Sequence, residues 1–111
     1  MKPRYFNFGG KERPFYFGFN AISLLEKYTG KPISKIGEVF TEASVNDMSM
    51  ILEISMQEGA RLDGKDYDIP KEKIFDYMDE LGMSKVSDIM VEMMEMITPP
   101  EEEEKESEAG K

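Results

Sequence analysis

The segment of residues 15–30, FYFGFNAISLLEKYTG, constrains the fold most, because in it an aromatic strand pattern runs directly into a helical one. Phe15, Phe17 and Phe19 are two residues apart, the spacing at which strand side chains return to one face of a sheet. After Asn20, a residue that commonly caps helices, the apolar residues recur at helical spacing as far as Gly30: Ala21, Ile22, Leu24, Leu25 and Tyr28. We therefore expect a strand that reaches Phe19 and a helix from Asn20 to Gly30.

A partner strand precedes this segment. Residues 5–8, YFNF, are followed by Gly9-Gly10, a pair that tolerates the positive φ angles of a tight turn. This pattern predicts a β-hairpin from about Arg4 to Phe19, with Pro14 just before its second strand. A two-stranded hairpin is only marginally stable alone, so its apolar face should pack on the helices.

Four more helical segments follow the first helix. Ser34 is a candidate cap for a short helix ending near Thr41 or Glu42, and Ser44 or Asn46 for a helix that continues to about Glu58. Pro70 suits the first turn of a helix that Gly82 ends, and Ser84 the cap of the last helix. The predicted fold is α+β and predominantly helical: an N-terminal β-hairpin packed on a bundle of about four helices.

The last helix is rich in methionine. Its apolar residues step by three and four and fill an arc of about 160°: Val86, Ile89, Met90, Met93, Met94, Met96 and Ile97. Methionine fills irregular gaps in cores, but it also lines adaptable surfaces that accept partner helices. Both interpretations stay open, because this arc is wider than one neighbouring helix usually covers. On the second one, the candidate partner-binding residues are Met90, Met93, Met94, Met96 and Ile97.

The composition argues against an enzyme. The chain has no Cys and no His, which removes thiolate chemistry, Cys/His zinc sites and the commonest general acid or base near neutral pH. The carboxylates of Asp63, Asp66 and Asp68 do not fit the ligand spacing of an EF-hand loop, and a turn explains them better. We therefore expect no catalytic residues, no metal site and no cofactor.

Charge divides the chain into two parts. The net charge is −9, from 23 acidic and 14 basic residues, which disfavours nucleic-acid binding. Residues 99–111 hold six glutamates, two lysines and no large apolar side chain, so we predict a disordered acidic tail after a single domain of residues 1–98. No long apolar run or secretory signal is evident, so neither a membrane nor export is expected and the predicted location is cytoplasmic.

The aromatic hairpin with its Gly-Gly turn, the stretch FNAISLLEKYTGKPISKIGEVF, the helical body and the charged carboxyl end together resemble the tail assembly chaperones of long-tailed (siphovirus-type) bacteriophages and prophages. The resemblance implies a non-enzymatic factor in the host bacterial cytoplasm. Such a factor binds the tape measure protein, keeps it soluble and recruits subunits of the major tail (tube) protein during tail morphogenesis. Many members of that family are also made as a longer, frameshifted product.

Two other classes remain open from the residues. The acidic tail also suits a small regulator or inhibitor that blocks a basic host partner. A structural head-tail or tail-completion protein is the third interpretation, and it would form rings by itself. Self-association is left open for all three classes. Removing residues 99–111 distinguishes a chaperone from an inhibitor, because an inhibitor that acts by charge should fail without them.

Overall fold

The amino-terminal hairpin has two antiparallel strands, β1 (Arg4–Phe8) and β2 (Lys11–Phe15), and Gly9 and Gly10 form the turn with φ angles of 70° and 88°. Pro14 lies inside β2, opposite Tyr5, rather than before the strand. In a hairpin with a two-residue turn, hydrogen-bonded and non-hydrogen-bonded pairs alternate from the turn, which makes Tyr5 and Pro14 a non-hydrogen-bonded pair. The missing N–H of proline therefore costs no ladder bond.

The second strand ends at Phe15, so the prediction that it reaches Phe19 is wrong. The N–H of Tyr16 donates to the carbonyl of Ser55 at 2.9 Å, which draws the chain away from β1 and onto a helix. Helix α1 (Phe19–Thr29) then begins after Gly18, so Asn20 is not its cap. Phe15 and Phe17 are buried, whereas Phe19 is 83% exposed.

The computed structural model describes residues 1–98, and they contain four further α-helices: α2 (Ile36–Thr41), α3 (Val45–Leu62), α4 (Ile74–Leu81) and α5 (Met83–Met96). Short 3-10 turns at Ile33–Lys35 and Lys71–Lys73 precede α2 and α4. Gly30 and Gly82 end their helices as predicted, and Ser44 caps α3 through a reciprocal pair of hydrogen bonds with Asp47.

Three predicted helix starts are wrong. Ser34 lies inside a 3-10 turn and makes no cap, and Pro70 precedes the next 3-10 turn rather than lying in the first turn of α4. Helix α5 begins at Met83, directly after Gly82, so Ser84 is its second residue. Neither Ser34 nor Ser84 donates or accepts a cap hydrogen bond, since the residues before these elements are Pro32 and Gly82.

Helix α3 continues past Glu58, where the sequence pattern predicted its end, as far as Leu62. Gly59, inside the helix, allows β2 to lie directly on it. A Cβ atom at position 59 would stand 2.1 Å from the carbonyl oxygen of Pro14. One turn earlier, Ser55 is fully buried, and its hydroxyl donates to the carbonyl of Ile51 at 2.7 Å. These two small residues make the surface on which the hairpin rests.

One hydrophobic core joins the hairpin to the helices, which confirms the α+β, predominantly helical fold. Phe8 and Tyr77 meet edge to face at 5.8 Å, and so do Phe17 and Phe40 at 5.4 Å. The predicted acidic tail, residues 99–111, lies outside the described residues. Within residues 1–98, no helix has the length and apolar character needed to cross a membrane.

Candidate partner-binding groove

An apolar groove lies where the first turn of α1, the 3-10 turn Ile33–Lys35 and the last turn of α5 meet. It encloses about 530 Å³. We call it the Phe19 groove. Its apolar lining includes Phe19, Ile22, Ile33, Ile36, Met96 and Ile97. Phe19 and Ile33, at 83% and 46% exposure, lie on its rim. Single exposed apolar residues are ordinary, but a contiguous apolar concavity is typical of interaction sites.

The backbone between β2 and α1 explains why Phe19 faces outward. Phe17 points into the core, and Gly18 then adopts an extended conformation at the helix N-cap. Phe19 therefore begins α1 on the side away from the core, and residues 1–98 leave it 83% exposed. The exposure follows from the early end of the strand.

Polar side chains around one buried carboxylate form one wall of the Phe19 groove. Glu58 of α3 is only 5% exposed, and its carboxylate accepts hydrogen bonds from the Asn20 side chain at 2.7 Å and from Arg61 at 2.8 Å. The hydrogen bond and the charge of Glu58 raise the pKa of the Arg61 guanidinium. Because a buried carboxylate is stable only when it is paired, these bonds hold the first turn of α1 against α3 and fix the position of Phe19.

Met96 and Ile97 form the opposite wall. The N–H of Phe17 donates to the sulfur of Met96 at 3.3 Å, which fastens the end of α5 to the link between β2 and α1. Both side chains are half-buried, with part of their surface on the core and part on the groove. The groove walls are therefore held by contacts between elements that are far apart in the sequence.

The five predicted partner-binding residues do not share one surface. Met90 and Met93 are 6% and 0% exposed and belong to the core, so a partner could not reach them without opening it. Met94 is half-buried and lines a separate, smaller hollow of about 310 Å³ with Phe40, Met48 and Val91. Of the five, only Met96 and Ile97 line the Phe19 groove. Burial therefore leaves three of the five residues accessible to a partner: Met96 and Ile97 in the Phe19 groove, and Met94 in the separate hollow.

Sequence reasoning missed Phe19 and Ile33, the two rim residues. Phe19 was grouped with Phe15 and Phe17 because all three share a spacing of two. The available signal was Gly18, which interrupts that row and can change the direction of the chain. Ile33 had no comparable signal, because it follows a break in the pattern and precedes a short helix.

The aspartates near residue 65 make separate contacts rather than one site. Asp68 accepts hydrogen bonds from Arg13 at 2.6 Å and from Lys11 at 3.3 Å, and these bonds lower the pKa of its carboxyl group. Asp63 accepts from the Tyr5 hydroxyl at 2.5 Å, which raises the pKa of that tyrosine. In the described part of the chain, no cluster of three or more His, Cys, Asp or Glu side chains could hold a metal ion.

Comparison with known proteins adds no relative to this description: no family model, no curated protein and no solved structure matches the chain. The Phe19 groove and the sequence resemblance, which is most specific around residues 20–37, are therefore the two features that bear on function.

Proposed function

We propose that this protein is a tail assembly chaperone of a long-tailed bacteriophage or prophage, and that it holds apolar helices of the tape measure protein in the Phe19 groove. The observation that carries the proposal is the exposed apolar rim of a concave site with structurally fixed walls. In this role the protein keeps the tape measure protein soluble in the host bacterial cytoplasm. It recruits subunits of the major tail protein through a different surface.

The chemistry of the groove suits an amphipathic helix. Helix-in-groove recognition uses apolar anchors one turn apart that enter an apolar concavity, and flexible methionine side chains adapt to several such anchors. A very long helical protein exposes many such anchors until its own assembly covers them, and exposed apolar faces of that kind lead to aggregation. A small protein that covers them reversibly prevents this.

The test is co-purification of the full chain with a tape measure fragment encoded by the same genome. Phe19→Ser combined with Ile33→Ser should abolish co-purification, because both changes remove apolar surface from the rim. The matched control is Phe75→Ser combined with Val45→Ser, since those residues are 42% and 51% exposed but lie on α4 and α3, outside the groove lining. Circular dichroism should show that both double variants remain folded.

The result that contradicts the proposal is equal binding by the two double variants, or no binding of the fragment by the native chain. The other classes give different results. A regulator that acts by charge should lose activity when Glu101, Glu102, Glu103 and Glu104 become glutamine and keep it in the rim variant. A tail-completion protein should form rings by itself at micromolar concentration.

A further inference from the structure

The outer edge of β1 has free backbone groups. Tyr5 and Asn7 occupy non-hydrogen-bonded positions of the hairpin, so their N–H and C=O groups point away from β2. Within residues 1–98, these four groups make no hydrogen bond. An exposed strand edge of this kind accepts a further strand through main-chain hydrogen bonds.

Of the two outer edges of the hairpin, that of β1 is the less protected. Natural proteins block such edges with lysine, proline or a β-bulge, and β1 contains none of these. Its one charged side chain, Arg4, is held in ion pairs with Glu92 and Glu95. On β2, by contrast, Pro14 has no N–H to donate, and its carbonyl oxygen lies against Gly59 of α3. The edge of β1 therefore stays accessible to a partner.

This edge borders a hollow of about 570 Å³, which we call the β1 edge site. Tyr5, Phe6 and Asn7 line its strand side. The end of α4 and one side of α5 form the opposite side, with Leu81 half-buried and Val91 57% exposed. A cleft between a strand edge and a helix suits an extended chain, which can pair with the strand while its side chains contact the helix.

The described charges around the β1 edge site are mainly negative. Glu12, Asp88 and Glu92 line it, together with one lysine, Lys85. Glu92 is paired with Arg4, whereas Glu12, Asp88 and Lys85 form no ion pair within residues 1–98. Two unpaired carboxylates therefore stand against one ammonium group, and both carboxylates are exposed.

The chain itself supplies no suitable occupant. Residues 99–111 hold six glutamates and two lysines, and the carboxylates of the site repel a segment of that charge. Pairing two β1 edges about a two-fold axis would put the same faces of both hairpins on one side. The two α5 helices, each with Asp88 and Glu92, would then lie together, where like charges repel. These charges favour a basic segment of another protein.

We infer that the β1 edge site binds an extended segment of a partner protein that carries lysine or arginine among apolar residues. The segment pairs with the backbone of Tyr5 and Asn7, and its cations lie near Glu12 and Asp88. Main-chain hydrogen bonds supply the contact, and the two carboxylates select against acidic segments. The β1 edge site shares no lining residue with the Phe19 groove, so this inference goes beyond the proposed function.

Two short synthetic peptides test the inference, one of alternating valine and lysine and the other of alternating valine and glutamate. Fluorescence anisotropy with the full chain should show that the lysine peptide binds at least about fivefold tighter at low ionic strength, and that the preference shrinks with salt. In a nuclear magnetic resonance titration, the lysine peptide should slow hydrogen exchange at the amides of Tyr5 and Asn7.

One variant tests the main-chain pairing. Asn7→Pro removes an outward N–H without breaking a bond to β2, as Pro14 does on the other strand, and should weaken binding of the lysine peptide about two- to tenfold. Asn7→Ala keeps the N–H and should bind like the native chain. A lysine peptide N-methylated at every second residue tests the same bonds from the other side and leaves the protein unaltered, so it should also bind more weakly.

A second pair of variants tests the charges. Glu12→Gln combined with Asp88→Asn should remove most of the preference for lysine. The matched control, Glu72→Gln combined with Asp79→Asn, removes two exposed charges outside the lining of the site and should keep the preference.

The inference is overturned if the native chain binds both peptides equally or binds neither at about 1 mM, a free energy of only about −4 kcal/mol. It is also overturned if Asn7→Pro and the N-methylated peptide leave binding unchanged, or if both charge variants lose the preference equally. A dimer that Asn7→Pro abolishes would place a second copy at the edge instead. Phe19→Ser should not change binding of the lysine peptide, so failure of this inference and failure of the proposed function are distinguishable.

Discussion

At the scale of single residues, Tyr67 has an unusual environment. Its hydroxyl is buried and makes no hydrogen bond to any group within residues 1–98, and burial raises the pKa of the phenol above its ordinary value. A buried hydroxyl without a partner has lost its hydrogen bonds to water and gained none in return. The ring packs against the core, so the aromatic part of the side chain stabilises the fold while its hydroxyl does not.

Tyr67→Phe should therefore leave the free energy of unfolding unchanged or raise it by up to about 1 kcal/mol, because it keeps the ring and removes the unsatisfied oxygen. Urea unfolding of the two proteins, followed by circular dichroism, measures the difference. A loss of more than about 1 kcal/mol would show that the hydroxyl has a hydrogen-bond partner in solution.

At the scale of elements, the contact between β2 and α3 depends on Gly59. An alanine in the interior of a helix is normally more stable than glycine by about 0.5–1 kcal/mol, because glycine loses more backbone freedom on folding. At this position the added Cβ would meet the backbone of Pro14 and Phe15 at 2.1–2.7 Å. Neither element can move without disturbing the buried Ser55 and the hydrogen bond to Tyr16.

Gly59→Ala should lower the free energy of unfolding by about 1–3 kcal/mol, the usual range for overpacking. Gly37→Ala is the control, since its Cβ would meet only the terminal carbon of Met94 at 3.5 Å, an ordinary contact. That variant should be unchanged or more stable. Denaturant unfolding measures the free energy of unfolding of both variants. Similar effects at the two positions would contradict the proposed role of Gly59.

The same contact shows what the sequence could predict and what it could not. The ends of α1 and α4 and the start of α3 follow from Gly30, Gly82 and Ser44, whose local chemistry is enough to end or cap a helix. The end of β2 depends instead on the Tyr16 N–H finding the carbonyl of Ser55, a contact across 39 residues that no local pattern encodes.

The candidate groove was predictable only in part. Met96 and Ile97 belong to an apolar arc that the sequence shows, and they do line the groove. That arc cannot reveal which of its residues other elements cover, so Met90 and Met93 were included although they are buried. Phe19 was missed because its exposure depends on where the strand ends.

At the scale of the whole molecule, helix α5 at the carboxyl end of the described chain packs against the hairpin at its amino end. Arg4 of β1 forms ion pairs with Glu92 and Glu95, and the Phe17 N–H binds the sulfur of Met96. Met93, which is fully buried, lies in the same core cluster as the hairpin phenylalanines. The hairpin and the helices share one core, so they should unfold in a single transition.

Met93→Ala should lower the free energy of unfolding by about 2–5 kcal/mol, because it leaves a cavity in that shared core. The signal from helices at 222 nm and the near-ultraviolet signal from tyrosines should shift together, as a single transition requires. Met83→Ala is the control: Met83 is 58% exposed at the start of the same helix, and its loss should change stability by no more than about 0.5 kcal/mol. Different midpoints for the two signals would contradict the single transition and show that part of the domain unfolds separately. The Phe19 groove could then open without global unfolding, because one of its walls is fastened to the segment that follows the hairpin.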